Sequence, residues 1–210
     1  MSPMFKSWKA LAVLGVTVAS AGCGNMARDS RSPVQLTILS LEGASGARPD
    51  EFGGTLHSDV VTNVQRTVDG QQVTIPTVFN DLGAVELGIV LKDPGDPATP
   101  ASPSALNAVT VTRYRVVYRR ADGRNQPGVD VPFPFDSGVT VTVSGDGGSA
   151  GFNLVRVSAK EEAPLRALAT SNDLLSTIAE VTFFGRDQAG NEVSATGMIG
   201  IDFGNFGDPQ

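Results

Sequence analysis

The stretch that most constrains this chain is Ala179–Phe203, AEVTFFGRDQAGNEVSATGMIGIDF, in which apolar and polar residues alternate on either side of a polar turn. Successive side chains of a strand point to opposite faces, so period-two alternation marks strands with one face buried and one in water. The first arm sets Ala179, Val181 and Phe183 on one face, against Glu180 and Thr182 on the other. The second arm aligns Val193, Ala195, Gly197, Ile199, Ile201 and Phe203. Between them, Gly185–Glu192 supplies Asp, Gly and Asn, residues that support turns through side-chain bonds or tolerate left-handed backbone. A hairpin of this kind cannot fold alone. It requires further strands and a second layer over its apolar face.

The remainder of the chain supplies those strands. Val34–Leu41 places Val34, Leu36 and Ile38 on one face and then shifts to Leu39 and Leu41, which predicts a bulge or a strand crossing between sheets. Within Leu56–Ile75, Asp69-Gly70 separates Val60, Val61, Val64 and Val68 from Val73 and Ile75, which predicts an inserted or edge hairpin. Val85–Leu91 alternates cleanly, and Lys92–Ser104, with four prolines, reads as an exposed loop. Val109–Arg120 sets Tyr114, Val116 and Tyr118 against Arg113, Arg115 and Arg119. Two prolines exclude Val131–Phe135 from a central strand. Val139–Val143 and Phe152–Val157 are short strands, and Glu161–Ser171 is the best helical candidate, of one or two turns. Seven to nine strands separated by turn clusters point to an all-β chain folded as an antiparallel β-sandwich. The 24 glycines and 13 prolines suit so many turns.

Residues 1–22 differ in character from the rest. Lys6 and Lys9 precede the largely apolar run Ala10–Ala21, and small residues then lead to Cys23. That is the pattern of an export signal, too short for a stable membrane span. Ser20-Ala21-Gly22-Cys23 resembles the bacterial lipoprotein lipobox, which implies cleavage before Cys23 and lipidation of that cysteine. Cys23 is the only cysteine in the chain, so an internal disulfide is excluded and a lipidated thiol is chemically sensible. The expected organisation is a signal peptide over 1–22, a lipidated N-terminus and flexible tether over 23–33, and a β-sandwich domain over 34–210. Acyl chains on Cys23 would hold the protein to a membrane without a spanning helix. Gly24, rather than Asp, follows the cysteine, which favours the outer over the inner membrane.

The turn Asp187-Gln-Ala-Gly-Asn191, between an aromatic-rich strand and an alternating one, resembles the closing hairpin of bacterial immunoglobulin-like and fibronectin-type domains. The resemblance spans about 25 residues and implies an immunoglobulin-like sandwich. The Cys–Trp–Cys core of antibody domains is absent.

Catalytic chemistry finds little support in the sequence. His57 is the only histidine, so a multi-histidine metal site on one chain is excluded, and no serine lies in a nucleophile-elbow context. Gly145-Asp-Gly-Gly148 lacks the Lys and the helix of a phosphate-binding loop and reads as a hairpin turn. The carboxylates Asp93, Asp96, Asp122, Asp130, Asp136, Asp187 and Glu192 lie in loops without calcium-loop spacing, and turns need such residues in any case. Arg113, Arg115, Arg119 and Arg120 read as a solvated sheet face paired with cross-strand acids, or alternatively as a cationic stripe for an anionic partner. Without residues 1–22 the chain keeps 14 basic and 22 acidic residues, a net charge of −8, which argues against nucleic acid as a partner. The expectation is a lipid-anchored, non-enzymatic envelope protein without cofactor, serving as an interaction or structural module for a protein partner. The alternative is a carbohydrate- or small-ligand-binding sandwich, which an exposed aromatic platform would favour.

Overall fold

A computed structural model describes residues 31–206. The signal peptide, Cys23 and the start of the tether lie outside the described residues. Twelve strands follow in order: β1 Val34–Ala44, β2 Thr55–Asp59, β3 Thr62–Val68, β4 Gln71–Thr77, β5 Asp81–Leu91, β6 Gly95–Asp96, β7 Thr99–Pro100, β8 Val109–Arg119, β9 Phe135–Val143, β10 Gly148–Val155, β11 Leu175–Asp187 and β12 Glu192–Gly204. Eight of them form two sheets, β1-β5-β10 and β2-β12-β11-β8-β9. The chain is all-β, and every pairing within the two sheets is antiparallel except that of β2 with β12.

The hairpin predicted from alternation stands at the centre of the larger sheet. β11 and β12 pair from Leu175↔Phe203 to Arg186↔Glu192, with Ala179, Val181, Phe183, Val193, Ile199, Ile201 and Phe203 buried. The facing sheet contributes Val34, Leu36, Val85, Leu87, Phe152 and Leu154 to the same core. Two phenols join the layers: the Tyr114 hydroxyl donates to the carbonyl of Asn153 at 3.1 Å and the Tyr118 hydroxyl to that of Leu154 at 2.8 Å. A buried phenol needs such a partner, so the two tyrosines set the spacing of the sheets as well as filling it.

Local chemistry accounts for the irregularities. In β1 the register shifts between Ile38 and Ser40, so the change of face is a bulge at Leu39, not a crossing. The predicted helix is displaced and divided. A single turn, α1, runs Val157–Lys160 before the expected start, and a 3-10 segment covers Leu165–Thr170. Pro164 lies between them and has no amide hydrogen with which to continue a helix. In Leu56–Ile75 the inserted hairpin exists as β3–β4, turning at Asp69 (φ 51°) and Gly70 (φ 79°). Its first residues behave otherwise: Thr55–Asp59 form β2, parallel to Gly200–Gly204.

The domain has two distinguishable ends. The chain enters beside the end of β5, where Val34 pairs with Leu91, and the Asp187–Asn191 turn lies at this entry end. Ser32 is already buried there. At the opposite end lie Ala44, Asp59, Asp81 and Gly204, and there β3 departs and β4 returns.

Candidate functional site

Among the described residues, the β3–β4 ribbon is the one hairpin of this length outside the two sheets. Its pairs Val64↔Ile75, Arg66↔Val73 and Val68↔Gln71 share one face, and Asn63↔Pro76, Gln65↔Thr74 and Thr67↔Gln72 share the other. Residues Gln65 to Pro76 are all exposed, so both faces stand in water, including Val68, Val73 and Ile75. The polar face is held by a bond from Gln65 Nε2 to Thr74 Oγ1 at 3.0 Å. On the apolar face, Arg66 makes no ion pair among the described residues. Seven residues per strand give the ribbon a length of about 24 Å. Two strands without a covering layer are marginal in water, and Val68, Val73 and Ile75 stand exposed together on one face of this ribbon.

The arginine face is arranged otherwise. Arg113 and Arg115 both approach Asp136, at 2.6 and 3.8 Å, and Arg119 meets Glu180 at 2.7 Å. Arg120 and Arg124 share Asp122, whose carboxyl is held well below the carboxylate range, chiefly by the Arg120 hydrogen bond. Each arginine of the stripe is thus engaged by an acid within the domain, with two of the three carboxylates shared between arginines. A shallow cradle of about 260 Å³ lies on this face among Thr112, Arg113, Phe184, Arg186, Glu192 and Ser194. It forms where Thr112 bulges out of β8 opposite Gly185, a position at which a Cβ would stand 2.7 Å from the Thr110 carbonyl oxygen. The Arg113 guanidinium lies 3.8 Å above the Phe184 ring centre and covers the aromatic surface a sugar would stack on.

The other residues singled out in the sequence serve structural ends. His57 projects from β2 beside Asp202 at 3.6 Å and against the Phe206 ring. Asp187 accepts bonds from the Ala189 amide and from the Asn191 amide and side chain. Desolvation opposes ionisation there, but these bonds, with one from Ser32, prevail and lower the Asp187 pKa. Its oxygens support the turn. Gly145–Gly148 is the predicted hairpin turn, with Ser144 and Gly147 exchanging backbone bonds. Among the described residues no three metal-ligating side chains cluster, and no helix is long and apolar enough to cross a membrane.

One cluster was not readable in advance. Asp81, Ser58, Asp59, Thr62 and Lys160 are buried together at the end from which the ribbon departs. Lys160 Nζ lies 2.8 Å from Asp81 Oδ1 and 2.7 Å from the Asp59 carbonyl oxygen. The Ser58 hydroxyl donates to Asp81 Oδ2 at 2.6 Å, and the Gly46 amide to Oδ1 at 2.9 Å. Burial pushes the Asp81 carboxyl above its ordinary range despite Lys160, Ser58 and Gly46. The group ties the end of β2 in one sheet to the start of β5 in the other and fixes the base of the ribbon. Sequence offered no signal for it, because its members lie far apart along the chain. Compared with protein-family models, with curated proteins and with solved structures, the chain matches none.

Proposed function

We propose that the chain is a lipid-anchored, non-enzymatic module of the bacterial envelope, an immunoglobulin-like sandwich that presents the β3–β4 ribbon to a protein partner. One observation carries this reading: twelve consecutive residues, Gln65 to Pro76, leave the body of the domain with valines exposed, at the end opposite the chain's entry. If acyl chains on Cys23 hold the entry end at the membrane, the ribbon faces away from the lipid. The charged groups of the arginine face and the Asp187 turn are engaged within the domain, which supports a binding rather than a catalytic role. The arginine over Phe184 weighs against the carbohydrate alternative. Exposed Arg66 is of a residue type enriched at binding hot spots.

The test places a photo-crosslinking residue at Val73 in one chain and at Thr182, on the face of the large sheet, in another. A discrete protein adduct in cells from position 73, absent at 182 and lost on Arg66→Glu, is the expected result. Equal adducts from both positions, or none from 73, would end the ribbon reading.

A further inference from the structure

Lys160 and Asp81 meet in one of the least accessible places in the molecule, with side chains 1% and 0% exposed. A lysine ammonium carries three N–H donors, yet this one has two acceptors among the described residues, the Asp59 carbonyl and Asp81 Oδ1. As an ion pair the site therefore buries two charges, an expensive arrangement away from water. A secondary amide in the same place carries no charge and one N–H, which the Asp59 carbonyl is placed to accept.

We infer that Lys160 and Asp81 form an intramolecular isopeptide cross-link. The chemistry needs no outside reagent. A proton passes from the ammonium to the carboxylate over the 2.8 Å contact, giving a neutral amine beside a neutral carboxyl. The Nζ lone pair then attacks Cγ. The Ser58 hydroxyl, on Oδ2 at 2.6 Å, stabilises the negative charge that builds on that oxygen, which remains as the amide oxygen. The Cγ–Oδ1 bond breaks, with the Gly46 amide donating to the departing oxygen. Oδ1 leaves as water with two protons from Nζ, so an ammonium and a carboxylate become one amide and one water, and charge is conserved. Held contact in a dry site replaces the activation that an intermolecular condensation requires. The consequence suits an exported chain that has no disulfide: residues 79 apart in sequence become one covalent loop across the base of the ribbon.

Tryptic mapping of the purified full-length chain tests the inference. Trypsin cleaves after unmodified Lys160, releasing Val157–Lys160, and separately releases Thr67–Lys92 with Asp81 inside it. The cross-linked protein instead yields one branched species, residues 157–166 joined to 67–92, lighter than the sum of the two peptides by one water. That species should vanish in Asp81→Ala, and its fraction should fall in Ser58→Ala with the strand signal in circular dichroism retained. Recovery of free Val157–Lys160 together with linear Thr67–Lys92 from the wild-type chain overturns the proposal and leaves an ion pair. The readout is independent of whether the ribbon binds anything.

Discussion

Ile199, 2% exposed on β12, reaches across to the other sheet, where its Cδ1 closes on Gly43. Truncating a buried Ile to Ala costs about 2–5 kcal/mol against a total stability of about 5–15. Ile199→Ala should therefore lower the melting midpoint markedly. Gln188, exposed in the turn, contributes one long bond of 3.4 Å to the Ala108 carbonyl, so Gln188→Ala should cost within about 0.5 kcal/mol. Equal midpoints for the two variants would remove the hairpin from the centre of the fold. In the same turn the left-handed residue is Gly190, at φ 83°, while Asn191 acts through its side-chain bond to Asp187. Asp187 makes that bond pH-dependent. Its folded-state pKa is depressed below the ordinary 3.8, so its contribution is fully present above that value and is lost as pH falls through the folded-state pKa. Acid titration of stability should show a shallower loss below about pH 4 in Asp187→Asn than in wild type, and coincident curves would remove Asp187 from the account.

The elements were legible from sequence in proportion to how local their causes are. The β3–β4 turn follows from Asp69-Gly70, and the bulge at Leu39 from the shift in alternation, because both are written within a few residues. β2 was not legible as a separate strand, because its partner, Gly200–Gly204, is distant in sequence and the pairing is parallel. The helical segment was misplaced because Lys160, an ordinary surface residue by composition, is drawn inward by Asp81. The polar cluster at the ribbon base was illegible for the same reason: no spacing rule joins residues 58, 81 and 160. The ribbon itself predicts a dynamic contrast. With no covering layer, its hydrogen bonds open locally rather than through global unfolding. Amides of Asn63–Ile75 should exchange with deuterium well before those of Ala179–Phe183, and replacing 63–76 with a short turn should leave the melting midpoint nearly unchanged. Protection in the ribbon equal to that in β11 would mean that it is packed in solution and not free to receive a partner.

At the scale of the whole molecule, the entry of the chain and the departure of the ribbon lie at opposite ends of strands that run the full height of the sheets. β1 alone has 11 residues, about 37 Å at the usual rise. Lipidation of Cys23 would turn this internal polarity into an orientation, with the Asp187–Asn191 turn near the bilayer and the Asp69-Gly70 turn distant from it. Cys23 is the only cysteine, and its sulfur is occupied once acylated, so an introduced cysteine would be the sole free thiol for a dye. Labelled Gln188→Cys and Gly70→Cys chains, purified with their lipid and reconstituted in vesicles carrying an acceptor lipid, give the comparison directly. Energy transfer should be strong from position 188 and weak from position 70. Cys23→Ser should leave the protein either in solution, without transfer from either position, or stalled as precursor in the membrane, and should incorporate no radioactive palmitate in cells. If wild-type protein also takes up no palmitate, the anchor is lost from the account. If transfer is equal from the two positions, the domain lies flat on the bilayer, and a ribbon held against lipid cannot be the surface that a partner in the envelope approaches.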